Sequence, residues 1–118
     1  MAKLRCVFYD PDAVDAGSRL SERAFEACER AEVVVFALAG EDAVELEGEL
    51  QGIPFVMRAL NLTPEECIGV GPSLADAPLG AVWVSPLELD VRGRHIRVAE
   101  DGDELLYDAV ISELAQRR

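Results

Sequence analysis

"KLRCVFYDPD", residues 3 to 12, decides how the rest of the chain reads. Residues 3 to 9, KLRCVFY, read as a buried strand whose apolar run Cys6, Val7, Phe8 and Tyr9 stops abruptly at Asp10, Pro11 and Asp12. An apolar run without polar alternation fits a strand buried on both faces. Such strands belong to parallel sheets covered by helices on either side. Asp-Pro-Asp is a turn former, and here it sets two carboxylates just beyond the strand.

Moving outward, residues 20 to 31 carry Leu20, Ala24, Ala27, Cys28 and Ala31 at helical spacing, with a Glu26 to Arg30 pair on another face. Val33 to Leu38 is a second continuous apolar strand, closed by Ala39 and Gly40. Residues 41 to 51, EDAVELEGELQ, read as an acidic surface helix weakened by Gly48, and residues 54 to 60 as a short helix. Thr63-Pro64-Glu65-Glu66 is a helix start, with a capping Thr, Pro at the first helical position and Glu three residues after the cap. It feeds a third strand at 67 to 70, followed by a fourth at 81 to 84 and a hairpin around Arg92-Gly93-Arg94. The last element is a helix over 103 to 117, with Leu106, Val110 and Leu114 on one stripe and a basic end that suits the helix dipole. Residues 1 to 118 therefore read as one α/β domain of three layers. Its sheet is expected to be mostly parallel, with about four or five strands.

Half of the 118 residues are apolar, enough for a real core. No apolar run approaches the ~18 residues that span a membrane, and no signal-peptide pattern opens the chain. A cytoplasmic protein is the expectation. Cys6, Cys28 and Cys67 are odd in number and widely spaced, and His95 is the single histidine. This composition speaks for reduced, buried thiols and against a disulfide scaffold or a structural zinc site. The formal net charge of −12 argues against nucleic-acid binding through a basic patch.

In open parallel sheets, ligands bind beyond the carboxyl ends of the strands. If the strands at 3 to 9 and 67 to 70 are neighbours, Asp10, Asp12 and Asp76 converge on one rim. Three carboxylates in a small volume repel one another, and a hard cation such as Mg2+ is their natural partner. Each residue also has a plainer role: Asp-Pro-Asp as a turn, Asp76 as a turn or helix-capping acid, Arg58 as a surface helix residue. Likewise, His95 fits an exposed strand position, Trp83 the core, and the acidic run 41 to 49 a solvated face.

Two segments together resemble the haloacid dehalogenase-like (HAD) superfamily, mostly Mg2+-dependent phosphatases and phosphotransferases. Asp10-Pro11-Asp12-Ala13-Val14 is similar to its D-x-D-x-[T/V] motif after the first strand. "ALNLTPEECIGVGPSLADAPLGAVWV", residues 59 to 84, is similar to its run of helix end, turn, strand, G-D-x-x-x-D loop and strand. The resemblance covers residues 4 to 86 and implies a three-layer Rossmann-like HAD-type fold. It further implies Asp10 as nucleophile, Asp12 as general acid and base, and Mg2+ held by Asp10, the Asp12 carbonyl and Asp76. An aspartyl-phosphate intermediate would split a hard displacement into two steps.

Three motifs depart from that pattern. Pro72 stands at the first acid of G-D-x-x-x-D, removing a ligand and a backbone N–H. Phe36-Ala37-Leu38-Ala39-Gly40 offers no Ser or Thr for a phosphate oxygen. Arg58 is the single basic side chain between residues 31 and 91 and lies late in its helix. Arg58 and Ser73 are the remaining candidates to hold phosphate. The cap domain common in this superfamily is absent or reduced to residues 40 to 52. Electrostatic stabilisation carries phosphoryl transfer, and most of it is missing here. The expectation is a HAD-like domain with impaired catalysis, acting in binding, assembly or regulation. The alternative is a minimal Mg2+-dependent phosphatase acting on a small phosphorylated metabolite, with Ser73 or a backbone amide standing in for missing groups. A receiver-like signalling domain fits the length, but no lysine follows Trp83 and no acid ends the second or third strand in a receiver arrangement. The expected partner is a small phosphorylated metabolite or a protein. Exposed sheet edges allow a homodimer.

Overall fold

The computed structural model describes residues 3–11, 14, 17–39, 43–70, 82–85, 94–97 and 102–116, with side chains left out over 82–85, 94–97 and 102–105. Strand β1 (Cys6–Tyr9) lies at the centre of a three-stranded parallel sheet, between β2 (Val34–Ala37) and β5 (Cys67–Val70). Helix α1 (Arg19–Arg30) connects β1 to β2. Between β2 and β5 come β3 (Ala43–Leu46), β4 (Glu49–Gly52), α2 (Ile53–Ala59) and a 3-10 turn (Pro64–Glu66). The chain closes with β6 (Val82–Ser85), β7 (Arg94–Arg97) and α3 (Gly102–Gln116).

The apolar run at residues 6 to 9 behaves as its composition dictates: every residue of β1 is buried, as is every residue of β5. Period two sends alternate side chains of β1 to opposite faces. Val7 and Tyr9 join one core cluster with Ala24 and Cys28 of α1 and Leu106, Ala109 and Val110 of α3. Cys6 and Phe8 join the other, with Val44 of β3 and Ile53, Val56 and Met57 of α2. Phe8 stacks on Phe36 at 5.6 Å between ring centroids.

Local chemistry sets the helix ends. Ser18 caps α1 by accepting the Ser21 N–H at 3.1 Å. Helices α1 and α2 both stop in a left-handed residue without being glycine, at Glu32 (φ 60°) and Asn61 (φ 54°). In each the two returning hydrogen bonds of a Schellman ending are present. Val33 N–H donates to the Cys28 carbonyl at 2.8 Å and Glu32 N–H to Glu29 at 3.2 Å. Leu62 N–H donates to Met57 at 2.8 Å and Asn61 N–H to Arg58 at 3.2 Å.

Two expectations are corrected. Residues 41 to 51 do not form a helix over their described part: β3 and β4 pair antiparallel, with Leu46 opposite Glu49. The two-residue turn Glu47-Gly48 has φ of 54° and 83°, the left-handed pair a primed hairpin turn needs. Val44 and Leu46 alternate with exposed Glu45 and Glu47, a strand period that the acid content obscured. Second, among the described residues the hydrogen-bonded parallel sheet has three strands rather than four or five; β6 runs beside β5 but belongs to a separate parallel pair. The arm and turn of the expected hairpin around Arg92-Gly93-Arg94 lie outside the described residues up to Gly93, while Arg94–Arg97 forms β7 and pairs parallel with β6, Val82 opposite Arg94.

Candidate functional site

Parallel register brings the carboxyl ends of β2, β1 and β5 level, with Tyr9 opposite both Ala37 and Val70. Hydrogen bonds continue just past the strands. Asp10 N–H donates to the Val70 carbonyl at 2.9 Å, and Leu38 N–H donates to the Tyr9 carbonyl at 3.0 Å. Asp10 is thus fixed, half-buried, at the end of the central strand and beside the last residue of β5. Pro11 is exposed, and the chain is back in the core at Val14, 3% exposed. A carboxylate held there can serve as a nucleophile or as a hard-cation ligand.

Of the five predicted site residues, Asp10 is the one placed on this rim among the described residues. Asp12, Ser73 and Asp76 lie outside the described residues, as does Pro72. Arg58 is exposed on the last turn of α2. That turn leads to Asn61, whose carbonyl accepts from the Arg5 guanidinium at 3.1 Å, and Arg5 precedes β1. Arg58 therefore sits toward the amino edge of the sheet, the edge opposite Asp10. Phe36 to Ala39 bring no hydroxyl to the rim. Among the described residues, no three His, Cys, Asp or Glu side chains gather in a way that could hold a metal ion.

A hydrogen-bonded polar cluster lies at the opposite, amino edge. Glu66 accepts from the Thr63 backbone N–H at 2.9 Å, the Thr63 hydroxyl at 3.0 Å and Arg5 at 3.1 Å. These donors, the Thr63 amide foremost, hold the Glu66 carboxyl below the usual carboxylate range. It is a structural clamp between the start of β1 and the turn before β5.

The cysteines are unsuited to nucleophilic or ligand work. Cys6 and Cys67 are direct cross-strand partners, both fully buried. A thiol–thiol hydrogen bond to Cys67, together with burial, pushes the Cys6 thiol far above its ordinary value. Burial alone pushes Cys28 up to about 11. Thiols rather than thiolates persist at neutral pH, and the thiolate is the reactive form.

A groove beside β2 has no signature in the sequence pattern. This open groove of about 420 Å³ runs between α1 and the outer edge of β2, lined by Tyr9, Phe25, Cys28, Glu29, Val33 and Val35. Phe25 falls off the 20-24-28 stripe of α1, so periodicity alone gave it no partner. Tyr9 packs on it at 5.8 Å between ring centroids.

No family model matches the sequence, and neither a curated protein nor a solved structure is similar to the chain. No helix among the described residues is long and apolar enough to cross a membrane.

Proposed function

We propose that the chain is a three-layer Rossmann-like domain of HAD type whose phosphoryl-transfer machinery is impaired, and that it acts through binding, assembly or regulation. The observation that carries this reading is the strand order β2-β1-β5, with Asp10 at the carboxyl end of the central strand and bonded to Val70. That is the place where open parallel sheets present ligands. It is also the position the nucleophile takes in the D-x-D resemblance. Helices packed against both faces of β1 support the layered arrangement.

Impaired catalysis is supported by what surrounds Asp10. Among the described residues, the end of β2 supplies no hydroxyl and Arg58 lies toward the other edge, so these bring a phosphate dianion a carboxylate but none of the cations that phosphoryl transfer depends on. Mg2+ remains the proposed ion for this rim, with Asp10 the one described carboxylate in a position to bind it.

The test is Mg2+-dependent hydrolysis of p-nitrophenyl phosphate by the wild type and by Asp10→Asn, run beside thermal melts with and without Mg2+. The expected result is no metal-dependent turnover in either protein. Metal-dependent turnover abolished by Asp10→Asn would overturn the impaired reading and establish the minimal phosphatase. A melting temperature raised by Mg2+ in the wild type but not in Asp10→Asn would assign the rim a binding role.

A further inference from the structure

Edge strands of natural sheets are blunted by charge, proline or a cover, because their unpaired backbone recruits other strands. Strand β2 is an edge among the described residues and has neither charge nor proline: its sequence is VVFA. It is also poorly covered, with Val34 47% exposed, Ala37 exposed, and Val35 and Phe36 half-buried. The N–H groups of Val34 and Leu38 turn inward, donating to Arg5 and Tyr9 at 3.0 Å each. Strand alternation therefore turns the backbone of Val35, and the N–H of Ala37, outward. The bridge between Leu38 and Val44 closes the slot at its carboxyl end, leaving a short open stretch.

The groove against α1 lies directly over this stretch, and its lining is apolar apart from Glu29. Helical spacing puts Glu22 and Glu29 on either side of Phe25, and Glu32 follows immediately before the lining residue Val33. All three glutamates are exposed, and none forms an ion pair among the described residues. The basic flank of α1 points elsewhere: Arg23 lies over the Tyr107 ring of α3 at 5.4 Å. A second copy paired through β2 about a two-fold axis would bring one glutamate rim against the other, and like charges at an interface oppose association.

We infer that the α1–β2 groove is a docking site for a short extended segment of a partner protein. That segment would add as a strand at Val35, place small apolar side chains against Phe25 and Tyr9, and carry flanking lysine or arginine for Glu22, Glu29 and Glu32. Backbone pairing supplies affinity and the alternate side chains supply selectivity. This inference is independent of the Asp10 rim.

The probe is the capped peptide Lys-Thr-Val-Thr-Val-Thr-Lys, whose first, third, fifth and seventh side chains share one face. Its counterpart has glutamate in place of both lysines. Amide chemical-shift titration of the full chain is expected to move Val35, Ala37 and Phe25 with the lysine peptide. The glutamate peptide is expected to bind at least about tenfold more weakly, the scale of two lost surface ion pairs. A Glu22→Lys/Glu29→Lys chain should reverse that preference while its melting temperature stays near the wild type, since both positions are exposed. Equal binding of the two peptides, or no movement of Val35 and Ala37 at millimolar peptide, overturns the inference. So does a shift of the Val35 amide with protein concentration alone, which gives the edge to a second copy.

Discussion

Glu66 shows how one side chain can tie distant parts of the chain together. Its carboxylate gathers Thr63 and Arg5, residues that lead into β5 and β1, the two strands whose register levels the rim. Because its folded carboxyl titrates below the ordinary 4.5, the ionised form is favoured in the native state. The stabilising contribution is therefore present above the unfolded value and is lost as pH falls through the folded one. Glu66→Gln should lower the melting temperature near pH 7, and the gap between variant and wild type should narrow as pH drops below the ordinary carboxylate value of 4.5. Melts across that range check it, and a pH-independent gap would show that charge is not the cause. The cysteines make a second prediction at this scale. Cys6, Cys28 and Cys67 are buried free thiols, so native protein should react with a thiol-specific disulfide reagent only at the rate of opening. Denatured protein should titrate all three at once.

The β3–β4 hairpin is the element where sequence and structure part most clearly. Glutamates at 45, 47 and 49 read as a solvated helix as readily as an exposed hairpin, so composition did not discriminate. What discriminates is the alternation of Val44 and Leu46 with those acids and the two-residue Glu47-Gly48 turn. A glycine in a helical segment reads as a weak point, yet at φ 83° it is the residue that makes the turn. The strands of the central sheet were legible because β1, β2 and β5 are short apolar runs ended by Asp, Ala-Gly and Gly, and α1 because its buried stripe keeps helical period. Gly48→Ala should cost roughly 1 kcal/mol, since the added methyl meets no neighbour within 4 Å and the penalty is purely that of the left-handed backbone. Glu47→Asn should stabilise by a few tenths of a kcal/mol, because asparagine tolerates that conformation at the first turn position. Chemical denaturation of both variants checks the pair. Opposite signs are expected, and a gain from Gly48→Ala would refute the turn assignment.

At the scale of the molecule, β1 belongs to both cores at once, and this couples them. Val7 and Tyr9 face α1 and α3, while Cys6 and Phe8 face α2 and β3. The same centrality explains which part of the candidate site could be read in advance. Asp10 was legible because a residue that ends a buried central strand has one place to go, the carboxyl rim. The position of Arg58 was not, because the direction of α2 depends on the hairpin that precedes it. The groove beside β2 was not legible either, because an edge strand and a central strand share one composition when neither carries a charge. If the two cores are joined through β1, damage to either face of that strand must lower one shared transition. Phe8→Ala, from a fully buried ring, should cost about 3–5 kcal/mol, a fall in melting temperature of at least about 10 °C for a domain of this size. Val7→Ala, on the other face, should lower the same transition by less, and Val34→Ala, half exposed on the edge strand, least of all. Far-ultraviolet circular dichroism, which follows helix content, and Trp83 fluorescence should give coincident midpoints in every variant. Two separated midpoints in Phe8→Ala would mean that the α2 side melts without the α1–α3 side, and the coupling through β1 would then be wrong.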